Sequence, residues 1–332
     1  MNTKNILAVL LAAGMAWACK SEMTKDGKPL DTPTTGEITV GVDESFEPLL
    51  RAEVEGFGIL YKQATIKTVF KPEGEVIADL LKDSIRMAIA ARPFTEGEKA
   101  AMKQQTITPR EYPIAVDAVC LIVNKKNIDT VLSVTDVKNL LVGTTKKWSD
   151  LSKTNLKDSV RIVFDNNNSS NLLFLKDKLG LKDTELGKHV FAVKSNAEVI
   201  EYIKNHPNSM GVIGINWITD STAKEKELKG FMKDNAVVAV VPDSLTTTPD
   251  WKKTVHIPDF YPYQSSIALK TYPFRRMLYV LSREARSGLG TGFTSYVLGD
   301  KGQRIVLRAG LLPINAPVRL IEMKNKKIEI EK

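Results

Sequence analysis

Val160-Arg161-Ile162-Val163-Phe164-Asp165-Asn166-Asn167-Asn168-Ser169-Ser170-Asn171 sets an apolar, β-branched run against seven polar side chains, and Leu172, Leu173, Leu175 and Leu179 follow at near-helical spacing. The first run predicts a buried strand over 160–164 and the leucines predict a helix. A strand therefore passes to a helix through a loop of acid, amide and hydroxyl groups. Ser169 or Ser170 can cap the first helical turn, whose free N–H groups and positive dipole end suit an anion. An ordinary capped connection uses the same residue types, so the loop alone does not separate a ligand loop from a plain turn.

Outward from this loop the same alternation continues. Strands are predicted at Ile38–Val42, Ile66–Phe70, Met87–Ala91, Ala115–Val123, Met210–Ile215, Val237–Val241 and Phe274–Ser282. Helices are predicted at Leu49–Tyr61, Val76–Lys82, Val134–Leu141, Glu198–Lys204, Gly292–Leu298 and Gln303–Ala309, with Leu311-Leu312-Pro313 as a terminating turn. Strands alternating with helices define an α/β class. No internal repeat or sustained heptad interrupts the pattern.

The N-terminus bears on location. Lys4 precedes an apolar run from Ile6 to Ala18, and small Ala16 and Ala18 flank Trp17 just before Cys19. A run of about 13 residues is too short to span a bilayer but suits a signal-peptide core. Ala-Trp-Ala-Cys resembles a bacterial lipobox, which would make Cys19 the lipidated (palmitate-type) first residue of the mature chain. Residues 1–18 are then a leader, 19–36 a lipidated Cys with a flexible Lys, Asp, Thr, Pro and Gly-rich tether, and 323–332 a charged tail. The expected location is the bacterial envelope, lipid-anchored on a periplasmic or outer-membrane face. The remaining Cys120 lies in an apolar run, as a small core residue does, and has no partner for an intrachain disulfide.

About 290 residues remain for the folded body, which suits two lobes. The net charge of +8 and pI near 9.2 do not indicate nucleic acid, because Lys and Arg are scattered among Asp and Glu without a basic helix. Chemistry is equally unsupported. His189, His206 and His256 have no metal-ligand spacing, no G-x-S-x-G elbow occurs, and Gly288-Leu289-Gly290-Thr291-Gly292 lacks phosphate-loop order and reads as a flexible turn. Trp148, Trp217 and Trp251 read as core or cleft-rim residues. No enzyme, cofactor or metal is expected.

Several segments in order carry a family resemblance over about Gly36 to Val318. They are Val42-Asp43-Glu44-Ser45-Phe46-Glu47-Pro48-Leu49, Met87-Ala88-Ile89-Ala90-Ala91-Arg92-Pro93-Phe94-Thr95, Tyr112 to Asn124, Leu140 to Leu151, Asn208 to Gly214, and Tyr272-Pro273-Phe274-Arg275-Arg276 with Gly302-Gln303 and Gly310 to Pro313. Together they resemble the phosphate-binding component of bacterial phosphate ABC importers, the PstS-like group of type II periplasmic binding proteins. The resemblance implies a two-lobed fold, each lobe a central mixed sheet flanked by helices, with ligand between the lobes. Lobe 1 is expected at 37–110 plus 264–322 and lobe 2 at 111–263, with hinge crossings near Arg110–Pro113 and Tyr261–Ser266.

Ser45, Arg86, Asp165, Ser169, Ser170 and Asn171 are the ligand-binding residues the resemblance implies. Two of them depart from it. Arg86 stands at or near the family's acid, and Asp165 replaces an arginine of the family's Arg-x-x-x-Ser-Gly-Thr loop. Placing a carboxylate against a dehydrated anion costs several kcal/mol unless a cation intervenes. Three readings follow. Either Arg86 and Asp165 have exchanged roles around a phosphate-like anion taken up with an ABC permease; or Asp43, Glu44 and Asp165 recognise an amine or hydroxylated ligand; or Arg86 pairs with Asp165 in a partner-binding envelope component without transport. A monomer is expected in each.

Overall fold

The computed structural model describes residues 30–151, 156, 159–218 and 233–315; the leader, Cys19, most of the tether and the charged tail lie outside the described residues. The strands are β1 (Gly36–Asp43), β2 (Ala64–Lys71), β3 (Met87–Ala90), β4 (Arg110–Asn124), β5 (Val131–Ser133), β6 (Arg161–Phe164), β7 (Val190–Ala192), β8 (Ser209–Gly214), β9 (Asn235–Val237), β10 (Ala239–Val241), β11 (Arg275–Ser282) and β12 (Leu312–Pro313). The helices are α1 (Glu47–Leu60), α2 (Glu73–Leu81), α3 (Glu96–Gln104), α4 (Val134–Val142), α5 (Ser170–Lys178), α6 (Asn196–Asn205), α7 (Trp251–Thr254), α8 (Gln264–Leu269), α9 (Leu289–Leu298) and α10 (Asp300–Arg308).

β1 lies between β2 and β3 and runs parallel to both, so each return requires a crossover, which α1 and α2 supply. Ile38, Val40 and Val42 are buried, as strand alternation dictates for a covered face. Gly41 lets α2 approach: a Cβ there would stand 2.5 Å from Ile85 and 2.8 Å from Val76. On the buried face of α1, with Leu49 and Phe57, Glu53 is fully buried and burial pushes its carboxyl up to about 9, so it is neutral in the core at ordinary pH.

β4 joins two groups of strands. Arg110 to Ala118 pair antiparallel with β11, whereas from Val119 onward the neighbour is β8, and from Ile122 also β9. The resulting order is β2-β1-β3-β11-β4-β8-β6-β7. The architecture is therefore the expected mixed α/β one, each half of the sheet flanked by helices. A register shift between Leu278 and Tyr279 lies opposite Ile114, beside Pro113, which has no N–H for the ladder.

Local differences from the sequence expectation have local causes. Arg110–Pro113, where a hinge crossing is expected, belongs to the ladder with β11, and Gln264 opens α8, donating to the carbonyls of Leu307 (2.6 Å) and Leu311 (2.9 Å). The stretch 237–241 is two strands, because β9 pairs with β4 and β10 with β5. Leu312 and Pro313 pair with β4 rather than simply ending the chain. α3 was not anticipated, although Thr95 and Glu98 form a capping box: Glu98 N donates to Thr95 Oγ1 (3.3 Å) and Thr95 N to Glu98 Oε2 (2.7 Å).

Candidate ligand-binding cleft

The C-terminal ends of β1, β6 and β8 converge, which is where open parallel sheets present ligand loops. β1 ends at Asp43, whose Oδ1 accepts Ser45 N (3.1 Å) and so folds Glu44–Phe46 into a single 3-10 turn before Pro48 starts α1. β6 ends at Asp165. Its carboxylate accepts a short hydrogen bond from the Ser169 hydroxyl and another from Asn196 Nδ2 (3.1 Å), while Ser169 caps α5 by accepting Leu172 N (3.3 Å). β8 runs into the turn Ile215–Trp217.

These ends grip one another. Ser45 Oγ lies 3.1 Å from Ser170 Oγ and accepts from Asn171 Nδ2 (3.2 Å). Its carbonyl accepts from Asn216 Nδ2 (3.0 Å) and Trp217 Nε1 (2.9 Å), and Asn166 Nδ2 donates a short bond to Glu44. Ser45, Asp165, Ser169, Ser170 and Asn171 are therefore brought together, and all are buried.

Arg86 is not with them. It precedes β3 and so stands at the N-terminal end of the parallel strands, 47% exposed, where Nη1 donates to Asp31 Oδ2 (2.6 Å). Neither the exchanged-role clamp nor the Arg86–Asp165 pair survives, since the residues sit at opposite ends of strands that all point toward the cleft. The cation of the site is Arg276. Its side chain is only 2% exposed, and Nε donates to Asp117 Oδ2 (2.8 Å), Nη2 to Asn171 Oδ1 (2.7 Å) and Nη1 to Ser170 Oγ (3.4 Å). The guanidinium carbon also stands 5.0 Å from the Phe46 ring centroid.

The sequence carried a signal for this pair. Arg276 shares the core parity of Leu278 and Val280 on β11, and Asp117 interrupts the apolar run of β4; the two are register partners. A buried charge at core parity requires a partner, and reading the two strands together would have supplied it. Arg92 has a structural role: its guanidinium binds Glu98 through two bonds (2.9 and 2.8 Å) and approaches Glu73 (3.6 Å).

One arginine faces several acids. Burial raises the carboxyl of Asp43 to about 7, with the charge of Glu73 adding to it and Arg276, Ser170 and Ser45 opposing it. Burial likewise raises Glu73 and Asp117 against the pull of Arg276, and raises Asp165 against its bonds to Ser169 and Asn196. Glu44 is raised by burial and by Asp165. Such a site offers a guanidinium, hydroxyls, an amide and helix-end N–H groups, together with the Asp43 carboxyl, raised to about 7, and further carboxyls that burial also raises. None of the histidines joins it: His189 bonds the Leu140 carbonyl (2.7 Å), His206 stacks on Tyr202 and His256 pairs with Asp259.

Sheet halves sharing β4, with buried polar groups gathered between strand ends, define a binding protein of the type II periplasmic class. Residues 28–301 match the profile described as a PBP superfamily domain, and the chain belongs to that superfamily. It is similar to the phosphate-binding protein PstS of Staphylococcus saprophyticus, 24% identical over 274 residues that cover 81% of this chain and 77% of that protein. It is also similar to PstS of Pseudomonas aeruginosa, 22% identical over 342 residues, covering 96% and 97% respectively. Among solved structures, a candidate phosphate ABC transporter substrate-binding protein with bound phosphate from Clostridium perfringens superposes with a TM-score of 0.67 at 18% identity, covering 84% of this chain and 100% of that one.

Proposed function

We propose that this chain is an extracytoplasmic solute-binding protein that captures a phosphate-like oxyanion at Arg276, Ser45, Ser170 and Asn171 and delivers it to an ABC permease. The observation that carries the reading is the buried guanidinium of Arg276 on β11 reaching Ser170 and Asn171 at the start of α5. It joins the charge of one sheet half to the helix-end donors of the other. In the state described here these donors bond one another, and an entering anion takes their place: Ser45 and Ser170 exchange their mutual contact for ligand oxygens, and the N–H groups opening α5 add to them. A proton on Asp43 reduces the negative field that an anion meets.

The lobes divide where β4 changes partners, at Ala118–Val119, and where β11 begins, at Arg275, and opening there would part Ser45 from Ser170. Ala16-Trp17-Ala18-Cys19 supports a lipid anchor on Cys19, in the envelope, on a monomeric chain. A second reading has one observation behind it: the buried acids Asp43, Asp117 and Asp165 outnumber Arg276, which suits an amine-bearing or hydroxylated ligand.

Calorimetric titration with phosphate and sulfate at pH 5 and 8 separates these. Phosphate heat that weakens at least about tenfold in Arg276→Gln and persists in Arg86→Ala is the expected result, from the strength of a charge-assisted bond. No heat from either anion in a folded protein would overturn the oxyanion reading and move the search to amines.

A further inference from the structure

The tether predicted to run freely to Gly36 is pinned over its last residues. Asp31 Oδ1 accepts Leu289 N (2.9 Å) at the start of α9, and Oδ2 accepts from Arg86 (2.6 Å) and faces Arg286 at 3.8 Å. Thr35 Oγ1 donates to the Leu30 carbonyl (2.7 Å), tightening the turn. The glycine run that reads as a flexible turn is the seat of this segment. A Cβ on Gly288 would come within 2.9 Å of the Asp31 carboxylate, and one on Gly292 within 1.8 Å of the Pro33 carbonyl oxygen. Only glycine lets the segment lie this close to α9.

This seat lies at the end of the first lobe opposite the cleft. β1 and β3 begin there and β11 ends there. Arg283 ties that end together: Nη1 donates to the carbonyls of Leu80 (2.7 Å) and Leu81 (3.2 Å), Nη2 to Gln105 Oε1 (3.2 Å), and Nε pairs with Asp83 (3.2 Å). Lys82 at the end of α2 and Lys103 in the last turn of α3 therefore share it, and both are exposed. Its acids are spent locally. Asp83 pairs with Arg283, Asp31 with Arg86 and α9, and Glu284 accepts Thr291 N (2.8 Å) and Gly290 N (3.2 Å). Lys82, Lys103 and Arg286, the last 79% exposed, are left facing outward as an excess of positive charge.

We propose that between deliveries to the permease this end rests on an anionic lipid surface, with the cleft turned away from the membrane. The proposal rests on the reading that Cys19 carries lipid. Eleven residue steps separate Cys19 from Leu30, a reach of at most about 40 Å, and the pinned segment gives that short lead a fixed point of departure. Cations held that close to headgroups are drawn to anionic lipid and released by salt, which screens within a Debye length.

The test uses the full processed chain reconstituted in vesicles of phosphatidylcholine with or without phosphatidylglycerol. A fluorophore is placed at Thr108→Cys, next to the proposed face, or at Leu173→Cys on α5, and energy transfer to a headgroup acceptor is read. Transfer should be at least twofold greater from position 108 in phosphatidylglycerol vesicles. That difference should fall by half or more in 0.5 M salt, in Arg86→Gln/Arg286→Gln, and in Lys82→Gln/Lys103→Gln, whose lysines are exposed and whose loss spares the Asp31 seat. Equal transfer from both positions, or a difference indifferent to salt and lipid charge, overturns the proposal. Mass spectrometry of Cys19 reads the anchoring separately. If no acyl group is present, salt-sensitive flotation of the same chain with phosphatidylglycerol but not phosphatidylcholine vesicles still upholds the face, and its absence overturns it.

Discussion

Asp31 and Asp43 flank the same strand, β1, and their carboxyls are driven in opposite directions. Burial acts to raise both. At Asp43 it prevails, reinforced by Glu73, and the carboxyl rises to about 7 despite Arg276, Ser170 and Ser45. At Asp31 the Leu289 N–H, the Arg86 bond and the charges of Arg86 and Arg286 overcome burial and lower it. The cleft end of the strand thus concentrates buried acids around one cation, and the far end gives one acid several donors. A carboxylate is stabilised by the donors it meets, not by its place in the sequence.

The largest effect should come from taking the cation out of the cleft. Arg276→Ala leaves Asp117 buried and unpaired among other acids, and should cost about 3–5 kcal/mol in urea unfolding. Arg86→Ala, at the solvent-exposed end, should cost no more than about 1 kcal/mol in the same assay. Comparable losses from the two would show that the ends do not differ in the way argued.

Next in size is the pH dependence set by Asp43. Its folded value is raised, so the folded state binds the proton more tightly and the contribution is fully present below the unfolded value of 3.8. That contribution is lost as pH rises from about 4 through about 7. Asp43→Asn should flatten this slope, measured as unfolding free energy at pH 4, 5.5 and 7; an unchanged slope would mean that other groups govern it. The smallest effect is expected at Asp31, where the sign is opposite. Its lowered carboxyl adds stability above the unfolded value and loses it as pH falls through the folded one. Asp31→Ala should cost about 1 kcal/mol at pH 7, the usual worth of a helix cap, and less at pH 3. A loss that grows on acidification would contradict the pairing described.

Much of the fold was legible because it rests on short-range periodicity. The predicted strand over 160–164 is β6 within a residue, and Asp165 to Ser170 form the loop and cap of α5 as the spacing implied. Ser45, Ser169, Ser170 and Asn171 could be placed for the same reason, since each lies at the end of a strand or the start of a helix. Arg86 was misplaced because sequence order puts it beside β3 without saying which end of the strand faces the cleft. Gly288–Gly292 was misread because its glycines answer to Asp31, Pro33 and Glu284, two of which lie more than 250 positions away.

The sequence by itself determined the α/β alternation and the capped loop after β6, because hydrophobic periodicity and local capping are properties of neighbouring residues, while its ordered motifs carried the resemblance to the superfamily. Tertiary structure alone decided which charge serves the cleft. Only the antiparallel pairing of β11 with β4 sets Arg276 against Asp117, and only the meeting of β1 with α5 brings Ser45 to Ser170. The physical reason is that a buried charge is settled by what surrounds it in space, and its partners here, on a strand and a helix, lie more than 100 residues away in sequence.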